Sequence, residues 1–309
     1  MMQVAFLLAW LAGSVSEATP LAEPKWAYQQ PKRFDDWLGA LATRVVLDVV
    51  AIPASVVGWD AVDYTLFATG ALLSTAPLVP VGGRSLDARL QDWLHQQRGA
   101  NCGYTTRISQ VCPVLVSPGF RLWTSEGDPI IIATLLTVPL FVLGAGAIAH
   151  QTGQVEAGTL AIEAVLVTQV YHLTLKVLSG REGPLWYNGS GSFHGPTVRY
   201  MPDGYPSGHA AFLFAVASVY STYFDEPWLS ALLFSTATAL SVFLVLDDSH
   251  YLSEVIMGAA TGYFVGRWVV NHRSSRTAGR VAADRGLQLR SVGVVPGVGG
   301  ASLAASFSW

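Results

Sequence analysis

The chain has 309 residues, 51% hydrophobic and only 13% charged, with 18 Lys+Arg against 21 Asp+Glu. Charge this sparse, against roughly 25% in ordinary globular chains, excludes intrinsic disorder. A net charge of −3 and just three lysines (Lys25, Lys32, Lys176) argue against nucleic acid as a partner, because that needs a basic footprint.

Residues 1–18 hold an apolar stretch from Val4 to Ala12, then small residues with Ser16-Glu17-Ala18 as a cleavage site, but no positive leader. They read as a signal peptide or as an uncleaved anchor. Residues 19–60 read as a linker followed by an interfacial segment, since Asp36–Trp59 is apolar but broken by Arg44, Asp48 and Pro53. Ala61–Val81 is a long apolar run. The polar connection Gly82–Asp128 should hold a helix over Leu86–Gln97. It also carries Cys102 and Cys112, which close a short disulfide loop if the protein is exported and stay free thiols if it is not. They complete no zinc ligand set.

Five more apolar runs follow: Pro129–Ala149, Gln154–Val177, Pro206–Tyr223, Trp228–Leu246 and Tyr251–Val270. Each is near the ~20 residues that cross a bilayer as helix. With Ala61–Val81 they give six candidate spanning helices in a domain over 61–270. Asp63, Glu156, Glu163 and His172 fall inside the runs, and small residues are frequent, which suits close packing in lipid or in a soluble bundle. In the tail, 271–309, loosely alternating residues flank Gly297–Gly300, a β-hairpin pattern.

Three polar clusters stand at the ends of apolar runs. The first is Lys176, followed by Gly180-Arg181-Glu182-Gly183-Pro184. A lysine there is commonly a snorkelling anchor. The second, Pro206-Ser207-Gly208-His209, is a strong helix start whose first-turn N–H groups and Ser207 hydroxyl suit a phosphate-like anion, with His209 able to donate a proton. An ordinary serine cap beside a bystander histidine fits it equally. In the third, Asp247–Glu254, His250 and Glu254 lie four apart, on one face if helical. A carboxylate on one ring nitrogen fixes the tautomer and leaves the other nitrogen as nucleophile or base. A surface i,i+4 pair is the plainer alternative. If consecutive runs are antiparallel helices, all three clusters emerge on one side.

In order, spacing and helix context these clusters resemble the motifs K-x6-R-P, P-S-G-H and S-R-x5-H-x3-D of the type 2 phosphatidic acid phosphatase superfamily, which includes vanadium haloperoxidases. The resemblance covers about Pro129–Val270. It implies an all-α, six-helix membrane-spanning bundle, here with a C-terminal β-hairpin. It further implies a metal-independent phosphoric monoester hydrolase acting on a lipid phosphate or diphosphate, with no cofactor. By similarity His250 is the nucleophile that forms a phosphohistidine, His209 protonates the leaving oxygen, and Glu254 replaces the aspartate that orients His250. Lys176, Ser207 and Gly208 bind phosphate oxygens.

The two family arginines fall on Gly183 and Leu244 in this chain, with Arg181 or Arg199 as substitute clamps. Their loss also admits a catalytically silent relative with a binding or scaffold role. A vanadate-dependent peroxidase leans on the same arginines and fits least. Arg267, Arg273, Arg276 and Arg280 follow the last run at the end away from the clusters. The positive-inside rule then places the site outside the cytoplasm. The expected location is a bacterial cell envelope, either the inner membrane or the periplasm, with membrane lipid and a phosphomonoester substrate as partners.

Overall fold

The computed structural model describes residues 34–56, 61–98, 128–184, 191–199, 204–246, 249–275, 288–297 and 300–308. Residues 1–18, the linker to 33 and the Cys102–Cys112 segment lie outside them. Among the described residues there are eight α-helices: α1 (Phe34–Ser55), α2 (Ala61–Thr75), α3 (Leu86–Arg98), α4 (Asp128–Ile148), α5 (Thr152–Ser179), α6 (Gly208–Phe224), α7 (Pro227–Leu246) and α8 (Leu252–Arg273). Strands β1 (Gln288–Gly297) and β2 (Gly300–Ser308) pair antiparallel, with Val292 opposite Ala305 and an irregularity between Leu289 and Ser291. The fold is all-α with a C-terminal hairpin, as expected.

Local chemistry sets the element ends near the clusters. Ser207 caps α6, its hydroxyl accepting from the Ala210 amide at 3.4 Å. At the end of α5, Gly180 turns left-handed (φ +53°), and its amide bonds back to the Lys176 carbonyl. A Cβ there would lie 2.0 Å from the Gly195 carbonyl oxygen, so the position requires glycine. Between α6 and α7 the chain reverses through Asp225 (φ +57°), and Pro227 opens the next helix.

Two elements differ in extent from the sequence reading. Where an interfacial segment is expected, α1 is a continuous helix of 22 residues. The charged residues that interrupt its apolar pattern turn inward: Arg44 pairs with Glu163 at 2.9 Å, and Asp48 is fully buried against Arg273. By contrast α2 has only 15 residues and gives way to a 3-10 turn over Ala76–Leu78, where Pro77 can no longer continue an α-helical ladder. Among the described residues, Asp35–Ser55, Thr152–Ser179 and Pro227–Leu246 are long and apolar enough to cross a membrane.

α5 runs through the centre. Its Leu160, Ala161, Ala164 and Val167 share one apolar core with Val219 and Tyr220 of α6 and Val265 and Val269 of α8. The contact of α6 with α8 is closest of all. A Cβ on Gly258, Gly262 or Gly266 would meet the Ser207, Ala211 or Ala215 carbonyl oxygen at 2.2, 1.8 and 2.6 Å. These glycines are four apart, so one stripe of α8 lets the two backbones touch. The acids inside the apolar runs are fastened rather than free. Glu163 lies between Arg44 and Arg273, and Glu156 accepts from the Tyr223 hydroxyl at 2.9 Å and from Ser275.

Candidate active site

The antiparallel path of α5, α6, α7 and α8 delivers the three clusters to one end of the bundle. His209, in the first turn of α6, places Nδ1 3.4 Å from Nε2 of His250, just ahead of α8. The ring centroids are 5.7 Å apart. The other nitrogen of His250, Nδ1, lies 2.9 Å from Glu254 Oε2, so the i,i+4 spacing is used inside the fold and not on its surface. His250 is 4% exposed and Glu254 is fully buried. The same Oε2 accepts from the Tyr251 amide at 3.2 Å, satisfying a donor that a helix start leaves unpaired.

The two helix starts are joined by main chain. The Ser207 amide donates to the Glu254 carbonyl at 2.9 Å, which fixes the α6 start against the first turn of α8. Ser207 and Gly208 are both buried beside His209. Lys176 is buried in the last turn of α5, and its charge acts on both Glu254 and His172. A Cβ on Gly208 would lie 2.7 Å from His172 Nε2. Thus His172, one turn before Lys176 and edge-to-face on Phe212 at 5.5 Å, lines the same end. In the sequence His172 is merely a polar residue within an apolar run.

Arg181 sits differently from the clamp role expected of it. Its guanidinium is 2% exposed and its donors are engaged inside the protein. Nε donates to the Gly191 carbonyl (3.0 Å), Nη1 to the Ser253 hydroxyl (2.6 Å) and Nη2 to Asp87 Oδ2 (2.8 Å). Nη1 also lies 3.4 Å from Glu254 Oε1. The plane is held by the rings of Tyr251 (4.5 Å), Phe193 (5.2 Å) and Tyr205 (6.0 Å). Burial pushes the Tyr205 phenol above its ordinary value, so it stays neutral beside Arg181. Arg181 therefore braces the carboxylate behind His250. Arg199 is exposed in the following loop.

The two positions that lack the family arginines are both buried. Gly183 lies in the loop after α5, next to Pro184, whose carbonyl accepts from Gln91 Nε2 at 3.5 Å. Leu244, fully buried, packs with Leu94 of α3 and with Ala210, Val245 and Val255. α3 thus closes over the site end of the bundle through Asp87, Gln91 and Leu94, all on one helix face.

A model of the PAP2 superfamily matches residues 157–278, the stretch that carries Lys176, both histidines and Glu254. Over that stretch the chain is similar to the superfamily. A curated relative, the lipid A 1-phosphatase of Porphyromonas gingivalis, is 35% identical over 75 residues, which is 22% of this chain and 17% of that protein. The match therefore spans less than a fifth of the relative's length. No solved structure matches the chain.

Proposed function

We propose that the protein is a phosphatase that hydrolyses a lipid phosphate or diphosphate, with His250 as nucleophile and His209 as general acid. The observation that carries this reading is the 3.4 Å approach of His209 Nδ1 to His250 Nε2, with His250 Nδ1 held by a buried carboxylate at 2.9 Å. Glu254 accepts the Nδ1 proton and leaves the Nε2 lone pair to attack phosphorus. The bond to the leaving oxygen breaks as His209 gives that oxygen a proton, and a phosphohistidine remains. Water then attacks the phosphoryl group, returning its proton to His209, and inorganic phosphate departs. Lys176 and the α6 start, with Ser207 and Gly208, are assigned to the phosphate oxygens, a cation and a set of N–H donors being suited to that charge. Every proton in this cycle is handled by a side chain of the protein, so the reading calls for no metal.

A lipid substrate is favoured because the site lies at the end of helices long and apolar enough to cross a bilayer, and because a relative acts on lipid A. The site lies at the opposite end of α8 from Arg267 and Arg273, which favours the extracytoplasmic side of a bacterial envelope. A second reading, a silent phosphatase-fold protein with a binding role, draws on the apolar burial of Leu244 and the internal engagement of Arg181. One experiment separates the two. Phosphate release from phosphatidate, lysophosphatidate, a prenyl diphosphate and an aryl phosphate is measured without added metal, for wild type and His250→Ala. Release by wild type that vanishes in the variant supports the enzyme; equal release in both removes the assignment of His250. No release from any of the four by well-folded wild type favours the silent reading.

A further inference from the structure

We infer that Asp87, brought by α3 from a remote part of the chain, is a positioning residue for His250. The inference rests on the reading of His250 as nucleophile and deepens it. Asp87 is 2% exposed although it belongs to the most polar helix of the bundle. Both its oxygens are used on groups that touch the catalytic cluster. Oδ1 accepts the Ser253 amide at 3.1 Å. Oδ2 accepts the Ser253 hydroxyl at 2.5 Å and Arg181 Nη2 at 2.8 Å. The Ser253 amide is a first-turn donor of α8 without a partner in its own helix, so α3 supplies the cap that α8 lacks there.

The chain of contacts is short and continuous. Asp87 holds Arg181 and Ser253; Arg181 lies 3.4 Å from Glu254 Oε1; Glu254 Oε2 lies 2.9 Å from His250 Nδ1. Arg181 is thereby shared between two carboxylates. If Asp87 loses its charge, Arg181 is left with Glu254 as its acidic partner. Glu254 is then drawn towards the guanidinium and holds the His250 proton less firmly. The charged and titratable groups facing His250 are Glu254 from α8, His209 from α6, His172 and Lys176 from α5, Arg181 from the loop after α5, and Asp87 behind it. Removing one negative charge from this set favours loss of the imidazolium proton. Since an imidazolium cannot attack phosphorus, the acid limb of kcat/KM moves to lower pH.

The test compares purified wild type with Asp87→Asn, Ser253→Ala and Asp92→Asn, using phosphatidate in detergent micelles, with kcat, KM and the pH profile normalised to folded protein. Asp92 lies on the same helix, half-exposed and paired with Arg84, and serves as control. Asp87→Asn is expected to lower kcat about 10- to 100-fold, the range known for hydrogen-bond partners behind metal-bound histidines, with KM little changed. Its acid limb shifts down. Ser253→Ala keeps both charges and should lower kcat with the limb in place, which keeps the inference open to refutation if Asp87→Asn does not fold. Wild-type kcat and pH profile in folded Asp87→Asn would overturn it, as would wild-type kcat in Ser253→Ala, or an equal loss in Asp92→Asn. His250→Ala, run in parallel, isolates the underlying reading: if that variant stays active, the nucleophile assignment fails independently of Asp87.

Discussion

Leu244 stands where the superfamily places a phosphate-binding arginine, and its surroundings explain why an arginine would not serve. It is wholly enclosed by Leu94, Ala210, Val245 and Val255, the layer on which α3 rests. A guanidinium there would carry a charge into that apolar layer, which costs several kcal/mol. Leu244→Arg is therefore expected to reduce phosphate release rather than raise it, and to lower the melting temperature. Leu244→Met, which conserves volume, should cost less than about 1.5 kcal/mol and leave release near wild type. Thermal melts in detergent, with phosphate assays on the folded fraction, check both. Arg181 is turned away from the vacated role, with Nε, Nη1 and Nη2 each bonded inside the protein, to Gly191, Ser253 and Asp87.

The contact of α6 and α8 sets the distance between the two histidines. Gly262 meets the Ala211 carbonyl so closely that an added Cβ would lie 1.8 Å from its oxygen, and main chain cannot swing aside. Gly262→Ala should force the helices apart, costing about 1–3 kcal/mol as overpacking, and lower phosphate release more than stability alone accounts for. Gly39, with nothing near its Cβ position, is the matched control. Thermal melts and assays of Gly262→Ala and Gly39→Ala side by side read the difference. The ends of α5, α6 and α8 were legible in the sequence because each end coincides with its own chemistry: Lys176 before a glycine, Pro206-Ser207 before an apolar run, His250 four before Glu254. Asp87 was not legible. Its helix is polar, and an acid in a first turn is ordinary on a solvated face. Only the tertiary fold shows that this face looks at Ser253 and Arg181. The extent of α1 escaped for the same reason, since Arg44 and Asp48 read as polar interruptions until their partners on α5 and α8 are known.

Among the described residues, two polar regions of an otherwise apolar bundle stand well apart. One is the histidine site. The other ties α1, α5 and α8 through Arg44, Asp48, Glu163 and Arg273, with Glu163 thirteen residues, or about 20 Å along the helix, from Lys176. Glu163→Leu removes the carboxylate that Arg44 and Arg273 share and is expected to cost about 3–5 kcal/mol, while release per folded molecule stays near wild type. Thermal denaturation and activity of the same samples separate these effects. Arg267 and Arg273, at the end of α8 away from the histidines, are paired with Asp63 and Asp48. The amide of Ser207 on the carbonyl of Glu254 has a consequence for how the proposed activity could diversify. Because the spacing of the His209 and His250 rings is inherited from main chain, a laboratory selection on the proposed activity for a new head group should collect changes in 191–199 and on the outer face of α3, and leave the junction of those two helices untouched.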